Sequence, residues 1–166
     1  MMQNLSGRIG IERGHLTVWI GGVLHAIPLV VIEEVLPALK IEPVAGMPEF
    51  IKGMVFVRGH LIPVLNVASI LQLPPPETRE PHLVCLRVHG RIIGIEVDEA
   101  IDLVELPEEG RISVPDLVGQ TRLISAVLDY HGELIRILNP EHILNLDVFH
   151  DLDSPAFGGP RSQLDY

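Results

Sequence analysis

Eight histidines, one cysteine and a handful of clustered carboxylates are the residues of this chain best suited to chemistry, and their spacing forms no recognisable catalytic constellation. There is no phosphate-cradling Gly-rich loop ending in Lys-Ser/Thr, no Gly-x-Ser-x-Gly elbow and no His-Glu-x-x-His pair. His60 and His131 occupy matching glycine-containing turns and read as solvated turn residues. Cys85 lies in His82-Leu83-Val84-Cys85-Leu86-Arg87-Val88, where a free thiol behaves as a small buried hydrophobe. A nucleophilic thiol needs an electropositive, accessible setting, and only Arg87 is near in sequence. Glu33, Glu34, Asp98, Glu99 and Asp102 follow the second strand of each half of the chain. Carboxylates so placed could work as an acid–base pair, or could be solvated or paired with a base. We therefore expect no catalytic residue, no metal site and no cofactor. The remaining candidate is Arg58, which by alternation shares a face with Met54 and Phe56. A guanidinium set among apolar side chains is of the kind enriched at binding hot spots; a solvated turn arginine is the alternative reading.

The elements that must position these residues are short. Of the 166 residues 47% are hydrophobic but only 4% aromatic, so the core is built from Val, Ile and Leu, and the β-branched members favour strands. His15 to Ile20 reads as a strand, Gly21-Gly22 as a tight hairpin turn, and Val23 to Ile27 as the returning strand ended by Pro28. Ile32 to Leu39 is a third strand and Lys40 to Pro48 a loop. Lys52 to Val57 and Leu61 to Leu65 form a hairpin about Arg58-Gly59-His60. Asn66 to Leu73 is a short helix capped by Asn66, and Pro74-Pro75-Pro76 stiffens a linker. Met54-Val55-Phe56-Val57 leaves no polar side, which predicts a strand covered on both faces.

The plan occurs twice. Leu61-Ile62-Pro63-Val64-Leu65-Asn66 is matched by Leu134-Ile135-Arg136-Ile137-Leu138-Asn139, with Gly59 on Gly132, an offset of 73 (132 − 59). Val18, Ile20, Gly22, Leu24 and Ile27 are matched by Leu86, Val88, Gly90, Ile92 and Ile95, an offset of 68 (90 − 22). Such a repeat signals two structural copies, each with about five strands, enough for a small barrel. The doubly apolar strands predict that the two lobes share a core. The expected organisation is an N-terminal extension over 1–14, lobe 1 over about 15–73, lobe 2 over about 82–146, and a disordered acidic tail over 147–166.

Charge narrows the function. Twelve Lys and Arg against 22 Asp and Glu give a formal net charge of −10, unlike the basic face that nucleic acid or anionic lipid requires. One cysteine allows no intrachain disulfide, which fits a reducing compartment. The N-terminus lacks a signal-peptide apolar core, and the greasiest stretch, Trp19 to Ile32, is broken by Gly21, Gly22, His25 and Pro28. A cytoplasmic protein without membrane insertion is expected.

The segment from Pro43 to Asn66, with Pro43-Val44-Ala45-Gly46-Met47-Pro48-Glu49-Phe50, then Gly53, Val57-Arg58-Gly59 and Pro63-Val64-Leu65-Asn66, resembles the central signature of CheW-like domains. Ala26 to Leu36 is similar to the family's upstream motif, and Arg91-Ile92-Ile93-Gly94-Ile95-Glu96-Val97-Asp98 to its second-lobe motif. The likeness runs from about His15 to Leu146. Asn66 and Asn139 stand where the family has Asp, Val57 where it has Leu, and Ala68-Ser69 where it has a basic pair.

The resemblance implies a mainly β fold of two interlocked five-stranded barrels with short helices, and a non-catalytic adaptor. It implies two partners, the regulatory domain of a CheA-type histidine kinase and the cytoplasmic tip of a chemoreceptor, with recruitment to receptor arrays at the inner membrane. It places Arg58 and Glu34, with Ile32, Val57, Gly59 and Gly94, at the receptor contact, and Gly53 and Asn66 near the kinase contact. Glu34 is the expected local partner of Arg58. A small β-barrel that binds nucleic acid or a small ligand is the competing reading. It would call for basic stripes with stacking aromatics, and the chain has one Trp and two Tyr.

Overall fold

In the computed structural model, residues 10–114 and 123–145 are described. Most of the N-terminal extension and all of the tail over 147–166 lie outside them. Eleven strands account for most of this region: β1 (Gly14–Ile20), β2 (Val23–Pro28), β3 (Ile32–Leu36), β4 (Ile51–Val57), β5 (His60–Leu65), β6 (His82–Val88), β7 (Arg91–Val97), β8 (Glu99–Glu105), β9 (Ile112–Ser113), β10 (Ile124–Tyr130) and β11 (Glu133–Leu138). One short helix, α1 (Val67–Ile70), follows β5, and a 3-10 turn, Pro140–Asn145, stands in its place after β11.

Two expected elements come out shorter. β3 stops at Leu36 and not at Leu39, because Pro37 has no N–H to continue the ladder that pairs Leu36 with Leu83. α1 stops at Ile70 and not at Leu73. Gln72 turns left-handed at φ 58°, and Leu73 N–H returns to Ala68 C=O at 2.8 Å, a closure that ends helices.

The sheets are not the two halves of the sequence. One runs β8-β1-β2-β11-β10-β9, the other β3-β6-β7-β5-β4. The β1–β2 hairpin of the first half therefore lies in the sheet completed by the second half, and β6–β7 lies among first-half strands. Two parallel ladders lock the exchange: Val64 of β5 pairs with Gly94 of β7, and Ile137 of β11 with Ala26 of β2. These are equivalent pairs under the offsets of 73 and 68. The irregularities repeat as well. A register shift between Ile51 and Gly53 recurs between Ile124 and Ala126. Asn66 N–H bonds Phe50 C=O as Asn139 N–H bonds Leu123 C=O.

Three apolar clusters follow from this exchange. Val55, Val57, Ile62, Val64, Leu83 and Cys85 pack together on one face of the five-stranded sheet. Leu24, Ala26, Leu128, Ile135 and Ile137 do the same in the six-stranded sheet. The largest cluster joins the two sheets, with Leu16, Val18, Ile20 and Ile27 against Leu86, Val88, Ile93 and Ile95, so the two copies share a core. The strand with no polar side is not fully covered, however. Phe56 is 69% exposed, paired across the β4–β5 hairpin with Leu61 at 48%. β4 is an edge strand, and the bridge from Glu42 that covers its outer side reaches Met54 but not the hairpin end.

Candidate partner-binding site

The hairpin between β4 and β5 sets the position of Arg58. Two residues, Arg58 (φ 52°) and Gly59 (φ 82°), join the strands with both φ values positive, the geometry that matches the twist of a two-residue hairpin. A non-glycine residue there is uncommon. The second copy repeats it with His131 (φ 53°) and Gly132 (φ 83°), so the backbone conformation belongs to the architecture and the guanidinium does not.

Glu34 comes from β3, the far edge of the same sheet. Across from β6, Ile32 faces Leu86 and Glu34 faces Cys85, which leaves Glu33 as the extra residue of a bulge. Arg58 Nη2 donates to Glu34 Oε2 at 2.9 Å. The sheet is thus curled enough for its two edges to meet through side chains. Within the pair the arginine is 76% exposed and the glutamate 21%. Glu34 is the seated partner, and Arg58 presents its remaining donors outward.

Beside this pair stands one that the sequence reading missed. Arg87 of β6 grips Glu33 side-on: Nε donates to Oε2 and Nη2 to Oε1, each at 3.1 Å. The Arg87 hydrogen bonds hold the Glu33 carboxyl below its usual range, helped by the charges of Arg87 and of Arg58. Glu33 and Arg87 are 54 positions apart, and no local spacing signals their meeting.

The other candidates divide between surface and interior. Ile32 is half-buried next to Glu33, and Val57 is buried beneath Arg58. Gly59 is open, with no atom within 4 Å of where a Cβ would stand. Gly94 is interior, where a Cβ would meet Leu83 Cδ1 at 2.9 Å. Gly53 is interior too, and a Cβ there would collide with the Glu42 carbonyl oxygen. The Asn66 side chain accepts from Ser69 N–H at 3.1 Å as the N-cap of α1.

Three further reactive groups, Cys85, Asp98 and His25, lie in the interior or against the backbone. Cys85 is buried, and burial, followed by the charges of Glu34 and Glu33, pushes its thiol up to about 11. Asp98 Oδ2 accepts from Gly22 N–H at the first hairpin. His25 of β2 is fully buried. Its Nδ1 lies 2.9 Å from Val23 C=O; since a carbonyl only accepts, Nδ1 carries the proton. Nε2 is buried with no partner among the described residues. Burial, above all, lowers this imidazole to about 4. No group of three or more metal-binding side chains occurs among the described residues. Nor is any helix there long and apolar enough to cross a membrane.

A site of exposed ion pairs on an apolar bed is suited to gripping another protein. A family model described as the CheW-like domain matches residues 14–148. The chain is 25% identical over 129 residues to a chemotaxis protein CheW of Bacillus subtilis, covering 76% of this chain and 83% of that one. It is 30% identical over 77 residues to one from Thermotoga maritima, a match that spans 46% of this chain and only 51% of the relative. Its fold is similar to the crystal structure of the scaffolding protein TtCheW from Thermoanaerobacter tengcongensis, with a TM-score of 0.74 at 15% identity, covering 85% of this chain and 93% of that one.

Proposed function

The chain belongs to the CheW-like domain family, whose members are non-catalytic adaptors, and we propose that it couples chemoreceptor cytoplasmic tips to a CheA-type histidine kinase. The observation that carries this reading is the Arg58–Glu34 pair. A guanidinium fork sits at a hairpin tip, 76% exposed and anchored by a seated carboxylate, beside the exposed Phe56–Leu61 pair. A planar five-donor cation of this kind suits carboxylates and helix-terminal carbonyls of a partner. In this reading Ile32, Val57 and Gly59 shape the receptor contact around Arg58. The interior glycines Gly53 and Gly94 act by letting segments approach closely, and Asn66 by fixing the end of β5 near a kinase-facing surface. The protein works in the cytoplasm, held at receptor arrays through its partners.

An exposed pair adds at most about 1 kcal/mol to stability, whereas truncating a binding hot spot costs roughly 2 kcal/mol or more. Arg58→Ala is therefore expected to melt within a few degrees of wild type. It should bind a receptor cytoplasmic fragment more than about tenfold more weakly, while its binding to the kinase regulatory domain is unchanged. Arg58→Asn, which suits the left-handed backbone better, should behave the same way. Titration calorimetry with each partner fragment measures both affinities. Unchanged receptor affinity in both variants removes Arg58 from the contact, and failure of wild type to bind receptor or kinase overturns the adaptor reading.

A further inference from the structure

The residues at the hairpin end of each sheet can be compared between the copies. In the five-stranded sheet they are Arg58 with Glu34 and Arg87 with Glu33, next to Val57 and Cys85. The same offsets lead in the six-stranded sheet to His131, Asp102, Trp19 and Ile101. There Trp19 and Tyr130 pack on the cluster, and the Tyr130 ring meets His131 edge-on with centroids 4.3 Å apart. The places of Arg87, Glu33 and Arg58 are thus taken by Trp19, Ile101 and His131 in the other copy, while Tyr130 answers to the apolar Val57. The architecture therefore does not itself require ions at this end.

The ionic end has features that the shared architecture does not explain. Glu33 and Arg87 are each about half exposed, with side chains 42% and 47% accessible. Their bond is two-pronged, which orients the two charged groups against one another at the surface. The bulge at Glu33 sets this pair directly beside Glu34 and Arg58. In a chain of net charge −10, two of the cations are gathered here, each next to a carboxylate.

We propose that Glu33 and Arg87 are specificity-determining residues of the receptor-binding face: a two-pronged acid–base pair that selects partner helices carrying the complementary pair, a cation opposite Glu33 and a carboxylate opposite Arg87. The inference rests on the adaptor reading above and adds a second contact beside that of Arg58. Placed at a half-exposed rim, such charges act on partner choice and on salt dependence.

Exchanging the two residues separates recognition from structure. Glu33→Arg and Arg87→Glu each leave like charges face to face. The double variant Glu33→Arg/Arg87→Glu restores an ion pair with reversed polarity. Binding of each full-length protein to a receptor cytoplasmic fragment is measured by titration calorimetry at about 50 and 300 mM salt, with melting temperature alongside. The double variant is expected to regain the melting temperature of wild type and to stay about tenfold weaker in binding at the lower salt, the deficit shrinking at the higher salt. Glu33→Ile/Arg87→Trp, which copies the other half of the molecule, is expected to fold and to bind as weakly. If the double exchange restores binding together with stability, the pair is a strut and the proposal is wrong, while Arg58→Ala still reports on the adaptor reading. If wild type does not bind receptor fragments at all, both fall.

Discussion

Replacing His25 by leucine should flatten the acid limb of the protein's stability curve. In the folded chain the imidazole is fully buried beside the β2–β11 ladder, with Arg136 as its ladder partner. Burial lowers it from 6.5 to about 4, with the Arg136 charge acting in the same direction and the Val23 carbonyl and Asp98 opposing. A base whose folded value is depressed is bound by more protons in the unfolded chain between the two values. Its contribution is thus fully present above about pH 6.5, falls as pH drops toward 4, and changes no further below that. At 1.36 kcal/mol per pH unit the whole interval is worth about 3 kcal/mol, most of it between pH 7.5 and 4.5. Leucine has a similar volume and does not titrate; the Val23 carbonyl loses its donor at every pH, which cancels in the comparison. The assay is urea unfolding of wild type and His25→Leu at pH 7.5 and 4.5, read as the difference of differences. His15, also lowered by burial, and the carboxylates are common to both proteins and drop out. Wild type should lose about 2–3 kcal/mol more than the variant on acidification. Parallel losses would refute the reasoning, showing that water or a shifted carboxylate already satisfies the protonated ring.

Other perturbations have equally specific outcomes. Gly53→Ala should cost about 2–3 kcal/mol in urea unfolding, because its Cβ meets the backbone carbonyl of Glu42 and not a side chain that can swing away. Asn66→Ala should cost about 1 kcal/mol by removing the cap on Ser69 N–H, with circular dichroism showing the sheet unchanged. Cys85 should react with a disulfide reagent at pH 8 at least about a hundredfold more slowly in the folded protein than after unfolding, since burial raises its thiol from 9.0 to about 11. Fast labelling of the native protein would show that the interior of the five-stranded sheet opens readily.

Much of this fold was legible in the residues themselves because its signals are local. Glycine pairs, prolines and runs of Val, Ile and Leu mark each hairpin, and backbone sterics act over a few residues. The duplication was legible for the same reason, since each copy must satisfy the same turns: Arg58-Gly59 and His131-Gly132 share φ values within a degree or so. Small errors arose where a single residue overrode a pattern, as Pro37 did at the end of β3 and Gln72 at the end of α1.

The site was legible only in part. The type of residue 58 and its place at a turn could be read directly, and the likeness to CheW-like domains supplied Glu34 as its partner. That Glu34 is the seated member, and Arg58 the exposed one, depends on how far the sheet curls to bring its edge strands together. The exposure of Phe56 depends on where the covering segment at Glu42 stops. The Glu33–Arg87 grip depends on a bulge that moves one residue out of register. The chain alone determined the strands, the turns and their duplication, which local sterics and hydrophobic periodicity encode. Only the tertiary structure decided the exchange of hairpins between the sheets and the pairing of charges across it, because these join residues dozens of positions apart through a curvature that no local pattern records.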